Sequence, residues 1–148
     1  MIDAAKDLKL LPMIKEQYKD KGYKILCVVL PITGEWVYRR FLESVIGVLG
    51  GDAYNYFLAD KVKIVVHIGT DFPICHNRNK SILAAKYTWG ADYIMQFDAD
   101  QTFNITTLMD LYERMQKPAP DGSEVEVVSG MYFMKRAPFR PVLGPYVK

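Results

Sequence analysis

The stretch Tyr93-Ile94-Met95-Gln96-Phe97-Asp98-Ala99-Asp100 decides how the chain reads: a short apolar and aromatic run that ends in two carboxylates one residue apart. A run of that length and composition, followed by polar residues, predicts a buried strand whose last residues emerge into solvent. If strand geometry continues, Asp98 and Asp100 point the same way, because side chains alternate faces with period two. Two hard anionic oxygen ligands so placed suit Mg²⁺ or Mn²⁺, which keep waters and complete their shell with substrate phosphates. The expectation is a diphosphate held through a metal. Asp98 is nearer the buried end and could instead orient a ligand or loop while Asp100 holds the ion, and a solvated turn is the plainer alternative for the pair.

Working outward, the same alternation of strand and helix runs along the chain. Lys24 to Leu30 is a strand continuous in Ile, Leu and Val, stopped at Pro31, with Thr33-Gly34 in the following loop. A helix is expected next, capped by Thr33 or Gly34, with Glu35 in its first turn. Val37, Phe41, Val45 and Val48, with Leu42, Ile46 and Leu49, form its apolar face up to Gly50-Gly51. The Tyr-rich stretch 52–60 is ambiguous. Lys61 to Ile68 is a second strand, His76 to Trp89 a helix ended by Gly90, Asp92 to Phe97 the strand already quoted, and Thr106 to Met115 a further helix. Val125 to Ser129 is apolar enough for a fourth strand, with Met131 to Met134 continuing or pairing beside it. Residues 1–23 read as a helical appendage, amphipathic and interrupted near Pro12, and residues 24–148 as the domain proper. The fold class expected is α/β, a mostly parallel sheet with helices on both faces.

Composition narrows the function classes. The chain has 148 residues, 50% of them hydrophobic and 13% aromatic, enough for one domain with a real core. Nineteen basic against 17 acidic residues leave a net charge of +2, which argues against a polyanion-binding face and so against a nucleic-acid partner. Two cysteines, Cys27 in an apolar strand and Cys75 in a polar loop, make no disulfide framework and suit reduced thiols. The apolar runs are too short to span a bilayer and the N-terminus lacks a signal-like core, so a cytoplasmic protein with no transmembrane segment is expected.

In open sheets of this kind ligands bind beyond the carboxyl ends of the strands, so the loops 31–35, 69–79 and 98–104 should converge. Ile74-Cys75-His76-Asn77-Arg78-Asn79-Lys80 opens a helix, where exposed N–H groups and the dipole favour an anion and Arg78 can make paired bonds to phosphate. Its plainer reading is a surface helix start capped by Asn77, with Arg78 and Lys80 solvated. His76 reads as a helix-start residue rather than a ligand, and Cys75 lacks an oriented base for nucleophilic chemistry. The loop Pro31-Ile32-Thr33-Gly34-Glu35 is neither a Walker loop nor a Gly-x-Gly-x-x-Gly turn, yet Thr33 and its backbone could meet a base or ribose. Asp71 could accept from a nucleobase N–H or simply cap a helix.

Taken in order, these pieces resemble the nucleotide-sugar-binding half of GT-A fold glycosyltransferases, especially the broad family 2 type. The likeness rests on the proline loop Pro31 to Glu35, on Arg78-Asn79, on Ala84-Ala85 before Gly90-Ala91-Asp92-Tyr93, on Asp98-Ala99-Asp100, and on the Val127 to Arg136 segment. It covers about Lys24 to Arg136. It implies a GT-A, Rossmann-like architecture, Mn²⁺ or Mg²⁺ as cofactor, and a UDP- or GDP-linked sugar as donor. By the same likeness Asp98 and Asp100 flank ribose and metal-bound diphosphate, Arg78 and Asn79 approach the nucleotide, Asp71 sits near the base, and Pro31, Thr33 and Glu35 line the donor. The acceptor would be a glycan, protein or lipid hydroxyl. The catalytic carboxylate and acceptor half of that family usually come later than this chain extends, so a fragment of a longer enzyme and a compact variant are both open; Glu124 and Glu126 are poor candidates for the base. A non-catalytic nucleotide-binding or assembly domain is the main alternative. Asp98-Ala99-Asp100-Gln101-Thr102 also resembles the signature of haloacid dehalogenase-like phosphatases, with Asp98 as nucleophile and Asp100 as acid, but lies unusually late in the chain for it.

Overall fold

The structure, a computed structural model, describes residues 16–34, 36–70, 72–104 and 106–128. Glu35, Asp71, the stretch around Pro12, and the segment from Ser129 through Met131–Met134 to Arg136 lie outside the described residues. The chain divides into two compact units, Met1–Leu108 and Met109–Lys148.

The elements run β1 (Lys24–Pro31), α1 (Arg39–Leu49), α2 (Gly51–Ala59), β2 (Val62–Gly69), α3 (Ile74–Tyr87), β3 (Tyr93–Gln96) and α4 (Thr107–Gln116). The three strands form one parallel sheet in the order β2-β1-β3, so the chain is an α/β protein compatible with a Rossmann-like fold. β1 is central because its sequence suits no other place: every residue from Ile25 to Pro31 is buried, on both faces of the pleat. Cys27 and Val29 pack against Ala85 of α3, with Trp89 and Ala91 beside them. The alternate residues Leu26, Val28 and Leu30 are buried on the opposite face.

Asp92 sets the register of β3. Its N–H donates to Ile25 O at 2.8 Å and its Oδ2 accepts from Ile25 N–H at 2.7 Å, which pairs Leu26 with Tyr93 and Val29 with Gln96. α3 reaches that start through Gly90, whose φ of +60° lets the chain reverse while Ala91 N–H returns to Ala85 O. At the other end Phe97 N–H donates to Val29 O. In β1 the odd residues Ile25 and Val29 bond toward β3, whereas Lys24 and Ile32 bond toward the β2 side. Pro31 is the next residue facing β3, and it has no N–H to give. The ladder ends there and the chain peels away as Asp98-Ala99-Asp100. Proline in the first loop thus has a structural task at the place where the carboxylates emerge.

Several expectations are corrected. The helix after β1 does not start at Thr33 or Gly34; it starts at Arg39 with Tyr38 as N-cap, and Trp36 and Tyr38 are 90% and 73% exposed. The apolar face of α1 is therefore Phe41, Val45 and Val48, all buried, without Val37. The ambiguous stretch 52–60 falls mostly in α2, whose inward face is Ala53 and Phe57, one helical turn apart. α3 starts at Ile74 rather than His76, and its N-cap is Pro73, not Asn77. In the second unit Val125–Val128, expected in a fourth strand, is irregular, and Val127 is 83% exposed, so its alternation with glutamate reflects no buried face. In that unit a turn in the Pro- and Gly-containing stretch 117–122 closes with Gly122 N–H donating to Ala119 O and Ser123 held by Asp121 Oδ1.

Candidate functional site

Parallel strands bring all three predicted loops to one edge of the sheet, beyond Pro31, Gly69 and Gln96. What joins them is a set of polar contacts that starts inside the core. Asn77 is fully buried one turn into α3, and its Nδ2 donates to Gly69 O at 2.9 Å. The same carbonyl accepts from Ile32 N–H at 2.8 Å. Ser81, also buried and one turn further along α3, donates its hydroxyl to Asn77 Oδ1 at 3.1 Å. The amide orientation follows from chemistry, since a carbonyl can only accept and the NH₂ must face it. Gly69 is required by close approach: a Cβ there would overlap Asn77 Oδ1 and Ser81 Oγ. One backbone carbonyl therefore ties the end of β2 to the loop after β1 and to the first turn of α3.

With Asn77 turned inward, the next residue, Arg78, faces the strand end of β3. Its Nη2 donates to Asp98 Oδ1 at 2.6 Å, a charge-assisted bond between side chains that are 40% and 33% exposed. Arg78 Nε is buried and, among the described residues, is a side-chain polar atom with no hydrogen-bond partner. Asp100 lies two residues further on and is exposed, as are Asn79 and Thr33, while Pro31 is buried. Arg78 and Asp98 are thus brought into contact, Thr33 is tethered through its neighbour Ile32, and Glu35 and Asp71 fall outside the described residues. His76 and Cys75 are both exposed on the first turn of α3.

The loop that carries the carboxylates is anchored at its far end. Phe103 stacks on Phe97 with ring centroids 4.2 Å apart and meets Phe41 of α1 edge-on at 6.0 Å. Its N–H donates to Ser44 Oγ at 3.2 Å, and Ser44 in turn donates to Arg40 O. Beside this anchor is an open cavity of about 390 Å³ lined by Arg40, Glu43, Ser44, Gly47, Thr102 and Phe103. Gln101 N–H closes a turn onto Asp98 O at 3.2 Å, so the segment 98–103 is held at both ends. Among the described residues no group of three or more His, Cys, Asp or Glu side chains is gathered that could hold a metal ion, and no helix is long and apolar enough to cross a membrane.

Sequence reasoning missed Ser81, Ser44 and Phe103, and read Asn77 only as a helix cap. Only Ser81 carried a signal, a polar residue four positions after another polar residue on a helix, which is the spacing of one shared face. The chain matches no protein-family model, no curated protein and no solved structure. The class defined by fold and site together is an α/β domain with a cationic and anionic pair at the carboxyl edge of a parallel sheet.

Proposed function

We propose that the protein is a metal-dependent glycosyltransferase, moving a sugar from a UDP- or GDP-linked donor to the hydroxyl of a glycan, protein or lipid. The observation that carries this reading is the contact of Arg78 with Asp98, which joins a helix start to a strand-end D-x-D beyond the carboxyl edge of a parallel sheet. A guanidinium and two carboxylates at one edge suit a ligand that brings both a diphosphate and a divalent cation.

The donor chemistry of the residues fits the metal. Asp98 and Asp100 offer only hard oxygen ligands, and Mg²⁺ or Mn²⁺ is commonly held by one or two carboxylates with phosphate and water oxygens completing the shell. When bound, the ion supplies positive charge against the negative charge growing on the departing nucleoside diphosphate. Arg78 adds a second positive charge to the same leaving group and directs it by its fixed fork of donors. Thr33 and the backbone of the first loop contact the nucleoside, and Asn79 lies on the same helix start. The acceptor hydroxyl attacks the anomeric carbon through an oxocarbenium-like transition state as the bond to the diphosphate oxygen breaks, and in an inverting reaction its proton passes to a carboxylate base.

Titrating UDP, GDP and their sugars with and without Mn²⁺ tests the reading. Metal-dependent binding that is lost in Asp100→Asn is the expected result, and binding left unchanged in that variant overturns it. A phosphatase that uses Asp98 as nucleophile would show no preference for nucleoside diphosphates. Turnover of the sugar nucleotide, measured as hydrolysis, separates an enzyme from a domain that only binds.

A further inference from the structure

We propose that Asn77 is the positioning residue of this site: its buried carboxamide aims Arg78 and fixes the loop that carries Thr33, without touching the ligand itself. The assignment rests on the nucleoside-diphosphate reading above.

Asn77 and Ser81 are the buried polar side chains among the described residues, at 0% and 1% exposure, and they bond to one another. An apolar pair of similar size would fill that volume, and exchanging a buried polar pair for an apolar one is often close to neutral for stability. What such a pair could not supply is direction. The Nδ2 bond to Gly69 O sets the rotation of the first turn of α3 about its axis, because Gly69 is itself locked into the β1–β2 ladder through Pro31 and Ile32. Turning the carboxamide over would set Oδ1 against Gly69 O, which can only accept, whereas the Ser81 hydroxyl accepts as well as donates; the Gly69 bond is therefore the one that fixes the amide's orientation. Arg78 follows directly in sequence and meets Asp98 at 2.6 Å only if that rotation is kept. Gly69 O accepts from Ile32 and Asn77 together, so the same bond couples the first loop to the cation. Orienting groups of this kind are felt through the residues they hold, and small misplacements of a binding group cost affinity.

A double-mutant cycle on the full chain separates positioning from mere support. UDP and GDP are titrated calorimetrically with Mn²⁺ present into the wild type, Asn77→Ala, Arg78→Ala and the double variant, at a temperature where circular dichroism shows each folded. The expected result is that Asn77→Ala weakens nucleotide binding by about fivefold or more in the wild-type background and by no more than about twofold when Arg78 is already alanine. Phe57→Leu, at a fully buried position of α2 away from the site, serves as the control for lost stability: it should lower the melting temperature and leave affinity unchanged. If Asn77→Ala does not fold, Asn77→Leu takes its place in the cycle, since it keeps a side chain of similar size and removes the bond to Gly69 O. The proposal is overturned if the Asn77 variant binds as the wild type does, if its effect is undiminished in the Arg78→Ala background, or if Phe57→Leu weakens binding equally. A wild type that binds neither nucleotide ends the underlying reading at the first titration, before any variant is compared.

Discussion

Arg78 and Asp98, twenty residues apart in sequence, meet at 2.6 Å although neither side chain is buried. An ion pair that open to solvent contributes no more than about 1 kcal/mol to stability, and the buried, unpartnered Nε of the same guanidinium costs about 1–3 kcal/mol. The two effects oppose one another. Arg78→Gln should therefore lower the urea-unfolding free energy by no more than about 1 kcal/mol. Metal-dependent nucleotide affinity should fall by about tenfold or more, as expected for a lost charge-assisted contact. A large loss of stability with unchanged nucleotide affinity would make the pair a structural strut instead.

Gly69 makes the opposite prediction, large in stability. Its missing side chain leaves room for Asn77 Oδ1 and Ser81 Oγ, both fully enclosed and held by hydrogen bonds. Neither atom is the free end of a flexible chain, so Gly69→Ala must displace α3 from the strand. The expected cost is about 1–3 kcal/mol, typical of overpacking in a filled core. Adding Ser81→Ala removes one of the two obstructing atoms, and the double variant should recover part of the loss; strict additivity in chemical denaturation would refute the geometry.

How much of this was legible beforehand differs between strands and contacts. β1 could be read because a continuous Ile, Leu and Val run suits only a strand buried on both faces, and β2 follows from its alternation and flanking turns; the apolar run of β3 does form a strand, but one that is half-buried with Ile94 exposed, not the buried strand its composition predicts. The start of α1 could not, because Thr33 and Gly34 look like caps while the chain stays irregular to Tyr38, where a tyrosine with no capping hydrogen bond begins the helix. α2 hid behind Tyr54 and Tyr56, whose aromatic character obscures the turn-spaced Ala53 and Phe57. At the site both Arg78 and Asp98 could be singled out, but their contact depends on how α3 is rotated. That rotation depends on Asn77 meeting a backbone carbonyl, and a backbone partner leaves no mark in side-chain patterns.

The two thiols should react very differently. Cys27 is fully enclosed in β1, and burial without a compensating charge pushes its thiol up to about 12, so almost no thiolate exists near neutral pH. Cys75 is exposed on the first turn of α3. A thiol-disulfide reagent at pH 8 should modify one cysteine of the native protein quickly and the second only after denaturant is added. Cys75→Ser should abolish the fast phase. Rapid labelling of both thiols under native conditions would mean that β1 is not the central strand.

His67 gives the fold a defined response to pH. It lies on β2 opposite Val29, half-buried, and its Nδ1 accepts from the Trp89 indole N–H at 3.5 Å. Indole can only donate, so this contact needs the neutral ring with its proton on Nε2. Burial disfavours the charged imidazolium and lowers the pKa below its ordinary 6.5. Above 6.5 both folded and unfolded chains carry neutral His67 and stability does not depend on it. As pH falls through 6.5 the unfolded chain takes up the proton first, so stability declines until the folded-state pKa is reached and then levels off. Unfolding midpoints of the wild type should accordingly fall between pH 7.5 and 5.5, with quenching of Trp89 fluorescence as the imidazolium forms. His67→Gln, which keeps a polar side chain that does not titrate, should flatten that part of the profile, leaving the carboxylates to act nearer pH 4. Equal slopes for the two proteins over this range would show that His67 is not shielded by its neighbours.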